Sequence, residues 1–293
     1  MNISNFNKGI LYTSLGSFWW GFIGVLYFQS VSFIGHIELV VHRCLWTAVM
    51  LILTTSFFSK WKVFIKTSSN KKNLIGLFGS GLLIFINWSV WIYAVSTERI
   101  IDASFGYFIM PIISVLLGYI FFKENLNKKR VFSIILVFIS ILILIFFNFK
   151  SLPWVGIIVA LSWSFYNLIR KKINIDTDIG LLIESLYILP LALIFFYFIT
   201  INGLNDFSLS SPGLSFFLLL AGPMTVIPLF LYVRGVELIG LGPTGMIFYI
   251  TPTLQFILGY FYYNEEFSLV KFLSFIIIWI AVIIYLNDLY ETN

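Results

Sequence analysis

Residues 131–148 read VFSIILVFISILILIFFN, with no charged side chain anywhere in the run. A helix needs about 20 mostly apolar residues to cross the roughly 30 Å hydrocarbon core of a bilayer, and this run is close to that length. Working outward, comparable runs lie at 9–28, 36–58, 73–95, 101–121, 130–148, 152–170, 179–200, 213–233, 242–262 and 269–287. The connections are short, so no soluble domain and no linker is expected. The fold class expected is all-α: a polytopic membrane protein of ten transmembrane helices.

The composition agrees. The 293 residues are 60% hydrophobic and 11% charged, whereas a soluble domain is roughly 45–50% apolar and about 25% charged. Such a chain could not cover itself with polar groups in water; lipid is the solvent that fits. The net charge of +5 comes from basic residues in short loops between apolar runs. That pattern orients a chain in a membrane and does not point to nucleic acid. With the N-terminus in the cytoplasm, Lys8, the Lys60–Lys72 loop, Lys123–Arg130, Arg170–Lys172 and Arg234 hold 14 of the 18 Lys and Arg on that side. Arg43, Arg99, Lys150 and Lys271 lie at or near the other face. Both termini are therefore expected in the cytoplasm. The apolar run after Lys8 is too long for a secretory signal and is read as the first helix. The one cysteine, Cys44, can form no internal disulfide, and no Cys/His cluster marks a metal site.

The halves repeat. A shift of 141 residues carries Pro111 onto Pro252, Gly118-Tyr119 onto Gly259-Tyr260, Glu124 onto Glu265 and Ser133 onto Ser274, without a gap. Five helices per half is an odd number, so the second half enters the membrane from the opposite side. Residues 1–148 and 150–293 are thus expected to form two inverted five-helix repeats, a recurring build of secondary transporters.

Several motifs resemble the RarD-type permeases of the EamA group, within the drug/metabolite transporter superfamily. They are Glu38-Leu-Val-Val-His42-Arg43, Asn87-Trp88, Ala103-Ser104-Phe-Gly106-Tyr107 running on to Pro111, Ser151-Leu-Pro153, Phe165-Tyr166 through Ile173, Leu182-Ile-Glu184 with Leu189-Pro190, and Tyr249-Ile-Thr-Pro252-Thr253. The resemblance spans nearly the whole chain. It implies ten helices in two inverted halves, a central substrate pocket, and export or exchange of small metabolites in a bacterial inner membrane. The chain departs from the pattern in the aromatic weight of its third and ninth helices, at Trp88, Trp91, Tyr93, Phe248 and Tyr249.

Candidate functional residues follow from the cost of polarity in lipid. A charge at mid-bilayer costs roughly 2.5–3.5 kcal/mol or more, so Arg43 and Glu184 are either a substrate or proton site or members of structural ion pairs. The repeat sets Glu184 on Arg43, opposite charges at equivalent positions. Glu184, as a lone carboxylate, is expected to face the central cavity or its cytoplasmic vestibule, and is the first choice for proton coupling. His42 is the second; with Glu38 it shares a helix face at i, i+4, as a relay or as a solvated helix end near the mouth. Pro111 and Pro252 interrupt helix bonding to the carbonyls of Tyr107 and Phe248. Paired interruptions in corresponding halves point to a central site, which Ser104, Tyr107, Tyr249 and Gln255 would line. Asn87 with Trp88 and Trp91, and Trp163 with Tyr166 and Asn167, supply aromatic and amide faces. Each is equally readable as core packing.

The reading is a secondary transporter that moves a small organic metabolite by alternating access, with no cofactor and no enzyme chemistry. No phosphate loop is present to use ATP. Its partners are a small-molecule substrate and the lipid bilayer, with a homodimer left open. Uptake of a metabolite is an alternative, favoured by the Ile, Asn, Lys and Phe bias. A non-transporting sensory or assembly subunit is a rival from another class. An intramembrane enzyme would need a nucleophile or metal constellation that His36 and His42, the only histidines, do not supply. The orientation has a direct test. In a Cys44→Ala background, Lys66→Cys is expected to resist a membrane-impermeant thiol reagent added from outside; rapid labelling would reverse the assigned orientation.

Overall fold

Where no water can take backbone N–H and C=O groups, a chain satisfies them within helices, and every regular element among the described residues is helical. The computed structural model describes residues 3–96, 100–148, 154–262 and 269–291, and their side chains except 3, 95, 96, 100–105, 148 and 259. The first rod is α1 (Ile3–Phe18), a π-helical segment (Trp19–Gly24) and α2 (Val25–Ser30). Then come α3 (His36–Phe57), the short α4 (Trp61–Ser68), α5 (Lys71–Ser96), α6 (Ile100–Phe122) and α7 (Lys128–Asn148). The second half holds α8 (Trp154–Ile173), α9 (Thr177–Ile201), α10 (Pro212–Leu219), α11 (Ala221–Ile239), α12 (Leu241–Ile247), α13 (Ile250–Phe261) and α14 (Leu269–Glu291).

Seven stretches are long and apolar enough to cross a membrane: Ser4–Ser30, His36–Phe57, Lys71–Ala94, Lys128–Phe147, Thr177–Ile201, Pro212–Ile239 and Leu269–Glu291. The chain is therefore a polytopic membrane protein. The other three expected runs are helical too. The fourth contains the shorter apolar stretch Gly106–Phe122, and the sixth is α8, whose last turn carries Arg170, Lys171 and Lys172. The ninth, expected as one span over 242–262, is instead two short helices. Pro252 has no N–H to give the Phe248 carbonyl, so Thr251 bonds that oxygen at 2.9 Å and the chain turns at Phe248–Tyr249. Pro111 sits inside a continuous α6.

Helix ends obey backbone sterics. Ser59, Lys123, Asn174 and Gly203 take positive φ after α3, α6, α8 and α9, and Gly240 takes φ 96° between α11 and α12. This left-handed residue stops a helix by letting the chain bend back onto its last free carbonyls.

The helices pack as pairs: α1 on α11, α5 on α8, α3 on α9, α7 on α14, and α6 on both α8 and α12. Lipid tails are as apolar as leucine, so close backbone approach must replace the hydrophobic drive between helices. A Cβ added at Gly222 would come to 2.5 Å from the Trp46 carbonyl oxygen, where α11 crosses α3. Outward faces carry Phe132, Ile135, Phe138, Phe146 and Phe147, all exposed, a surface suited to lipid and not to water. Gly222→Val is expected to cost about 1–3 kcal/mol by overpacking, read as a lower melting temperature in detergent. Gly213→Ala, where an added Cβ meets nothing within 4 Å, is expected to leave that temperature unchanged or slightly raised.

Candidate functional site

A cavity of about 50 Å³ lies where the two halves meet. The first rod gives it Trp20, Gly24 and Phe28, the first two from the π-helical segment. A π-bulge widens the turn and re-aims side chains, and such bulges are frequent at functional sites. Arg43 enters from α3, Asn87, Trp88 and Trp91 from α5, and Tyr107 and Met110 from α6. The second half supplies Val159 and Trp163 from α8, Phe248 at the α12–α13 turn, and Gln255 from α13.

Polar groups are few on this wall, and two are held in place. Arg43 donates from Nε to Thr225 Oγ1 at 3.1 Å. Its guanidinium carbon lies 4.7 Å from the centre of the Trp88 ring and 5.1 Å from that of Phe28. Asn87 spends both amide protons, on the Val159 carbonyl at 2.9 Å and Ser162 Oγ at 3.1 Å. Below them Trp20 meets Trp163 edge-on, with ring centres 5.0 Å apart, and Tyr232 and Phe248 close the cluster. Such an enclosure orients an organic molecule by a few polar contacts and covers it with aromatic faces.

Glu184 is not on this wall, nor is it alone. Its Oε1 lies 3.6 Å from Arg170 Nη1, with side chains 2% and 1% exposed. Ser80 Oγ donates to Oε1 at 2.5 Å and the Tyr166 hydroxyl to Oε2 at 3.2 Å. Arg170 Nη2 donates to the Thr177 carbonyl at 3.0 Å, and a side chain at Gly180 would fill the space its guanidinium occupies. The lone carboxylate of the central cavity is thereby corrected to a buried ion pair beside it. Trp88 stands between, lining both the central cavity and a smaller one that Glu184 shares with Thr47 and Ile84. Arg170 had been counted with Lys171 and Lys172 as loop charge. Successive helical residues turn by about 100°, so α8 points Arg170 inward while Lys171 and Lys172 point elsewhere.

Glu38 is corrected as well. It is no solvated helix end but 2% exposed, accepting the Asp206 backbone N–H at 2.8 Å and lying 3.3 Å from His42 Nε2. Trp46 Nε1 donates to His42 Nδ1 at 3.1 Å. An indole can only donate, so Nδ1 bears no proton, and the neutral ring gives its Nε2 proton to Glu38. A recess of about 400 Å³ opens beside them, bounded by His36, Glu38, Leu204 and Asp206.

Of the residues singled out in the sequence, Arg43, Asn87, Trp88, Trp91, Tyr107, Trp163 and Gln255 come together on the central cavity. Tyr166 serves Glu184, and Asn167 turns its amide onto the Trp163 carbonyl at 2.9 Å. Tyr249 donates to the Phe108 carbonyl at 2.8 Å. Pro111 and Pro252 are buried but neither forms part of the wall. The side chain of Ser104 lies outside the described residues, as do Arg99, Lys150, Ser151–Pro153 and Glu265. Sequence reasoning passed over Trp20, Gly24, Phe28, Met110, Val159 and Phe248 as site residues. Trp20, in the Trp19-Trp20 pair deep in the first run, and Phe248, whose carbonyl Pro252 frees, carried a usable signal. No His/Cys/Asp/Glu group fit for a metal occurs among the described residues.

Removing one member of a buried pair strands the other, at about 3–5 kcal/mol, whereas removing both costs less than the sum. Glu184→Gln and Arg170→Gln are each expected to lower the melting temperature strongly, and the double variant to recover part of the loss. Additive losses would show that the two side chains do not act as a pair.

The EamA-like transporter family model matches residues 7–146 and again 151–287. A Bacillus subtilis (strain 168) protein named "Uncharacterized transporter YojE" is 33% identical over 281 residues, covering 95% of this chain and 93% of its own. A Salmonella typhi protein named "Protein RarD" is 30% identical over 293 residues, covering 100% of this chain and 99% of its own. One solved crystal structure superposes with a TM-score of 0.70 over 97% of this chain and 98% of that one, at 13% identity. That last likeness concerns fold alone.

Proposed function

Because the chain belongs to the EamA-like transporter family, we propose that it carries a small organic metabolite across a bacterial inner membrane by alternating access. The direction proposed is export or exchange. The observation that carries this reading is the cavity between the halves, where Arg43, Asn87 and Gln255 interrupt an otherwise aromatic and aliphatic lining. Polar groups in the interior of a membrane bundle mark substrate or ion pathways. At about 50 Å³ the cavity admits a few waters, while sites for drug-sized ligands run to roughly 300–1,000 Å³. This state is thus closed, and a substrate enters only when the walls part.

The parting is proposed to follow two inverted five-helix repeats, 1–148 and 150–293. Support comes from the family model matching each half separately. Packing supports it too. Exchanging the halves turns the α1–α11 pair into the α8–α5 pair and leaves α3–α9 and α7–α14 as pairs of equivalents. Gly81 and Gly222 stand 141 residues apart; one lets α5 approach Glu184 on α9, the other lets α11 approach Trp46 on α3. Arg43 donates to the Thr225 hydroxyl on α11, and Glu184 accepts from the Ser80 hydroxyl on α5. In the orientation that the loop charges favour, the Glu38–Asp206 contact closes the outer side. Glu124 closes the inner side: it pairs with Lys171 at 2.8 Å and accepts the Leu241 and Gly242 N–H groups at 2.8 and 2.9 Å.

For coupling, Glu184 remains the proposed proton carrier and His42 the second. In the closed state Arg170 balances the Glu184 charge; a shift of α8 that withdraws Arg170 would leave a proton as the remaining counter-charge. The test is flux of labelled metabolites in proteoliposomes, with and without an imposed pH gradient. Solute-specific counterflow by the wild-type protein is expected, and its absence across a broad metabolite panel would defeat the transporter reading. The Glu184→Gln, Arg170→Gln double variant is expected to keep counterflow and lose gradient-driven accumulation. Unchanged accumulation would remove Glu184 from coupling.

A further inference from the structure

Among the described residues, every buried arginine but one lies against a carboxylate. Arg130 lies 2.8 Å from Asp288 and Arg170 lies 3.6 Å from Glu184. Arg43 is 6% exposed, and no carboxylate stands within ion-pair distance of it among the described residues. Its single hydrogen bond uses Nε, and goes to an uncharged hydroxyl. A guanidinium presents five N–H donors in a planar fork. Four of them, on the two terminal nitrogens, are left to the cavity that Arg43 lines. The rings of Phe28 and Trp88 shelter the cation on its flanks, but a π face offers no lone pair to an N–H fork. A buried cation kept without an anion in a medium that penalises it is a site prepared for an anion.

We infer that Arg43 seats the anionic group of the transported solute, which is a singly charged organic acid with a flat apolar body. The inference rests on the transporter reading and specifies its substrate class. A carboxylate matches the guanidinium fork bidentately. With Asn87 spending both its donors on the protein, its oxygen is free to accept a bond from a hydroxyl or amine elsewhere on the solute. The indoles of Trp20, Trp91 and Trp163 offer flat faces to the body. One cation balances one negative charge, so dianions such as dicarboxylates bind poorly, and cations are repelled.

The experiment compares acids with their uncharged amides on purified protein in detergent: benzoate with benzamide, cinnamate with cinnamamide, and indole-3-acetate with indole-3-acetamide. The readout is melting temperature against ligand concentration. At least one acid is expected to act at concentrations about tenfold or more below its amide, as a charge-assisted hydrogen bond outweighs a neutral one. Arg43→Gln is expected to level acid and amide; Arg43→Lys, which keeps the charge but not the fork, to retain part of the preference. Equal potency in the wild-type protein, a preference that survives Arg43→Gln, or no shift from any of the six compounds overturns the inference. Should Arg43→Gln not fold, the wild-type comparison and Arg43→Lys decide it. Counterflow of neutral solutes without acid preference leaves the transporter and removes the anion site. Acid binding without any flux leaves the anion site and removes the transporter.

Discussion

The cost of leaving polar groups unpaired in a lipid-embedded bundle governs the rest of this structure. A buried donor, acceptor or charge is best met by a partner in the protein or by water in a cavity. The response is visible at the buried carboxylates. Asp288 takes Arg130 and Asn127 together, Glu38 takes a backbone N–H and an imidazole, and Glu184 takes a serine, a tyrosine and an arginine. Glu124 does it for the backbone: its carboxylate accepts the first two N–H groups of α12, donors that a helix start cannot bond internally. Arg43 is met only in part, and that shortfall sits on the central cavity.

Two departures from regular helix line that cavity. The π-helical segment carries Trp20 and Gly24 to its wall, and the turn between α12 and α13 carries Phe248. Both lie on helices packed against each other, with Thr251 donating to the Ser17 carbonyl at 2.9 Å across the contact. Irregular backbone at membrane depth is tolerated where protein buries it or a cavity hydrates it.

The sequence revealed the apolar runs, the loop-charge bias and the repeat in full view, because each is a property of consecutive residues or of a constant offset. It pointed to Arg43, Asn87, Trp88, Trp91, Tyr107, Trp163 and Gln255 through the rarity of polar and indole groups at membrane depth. Its misreadings share one cause. Arg170 looked like loop charge because it adjoins Lys171 and Lys172. Glu38 looked solvated because it opens α3. Glu184 looked alone because its partner lies on a different helix. The prolines looked equivalent, yet Pro252 falls beside a break whereas Pro111 lies within continuous α6.

What the sequence by itself determined is the solvent this chain lives in and where its long apolar runs lie. Hydropathy, charge bias and self-similarity are additive along the chain and need no knowledge of distance. What only the tertiary structure decided is which polar groups meet. A step of one residue turns a side chain by about 100° around its helix, so depth can be read from position but facing cannot be read without the neighbouring helices. That rotation sends Arg170 to Glu184 and Lys171 to Glu124, and leaves Arg43 facing a cavity with no carboxylate beside it among the described residues.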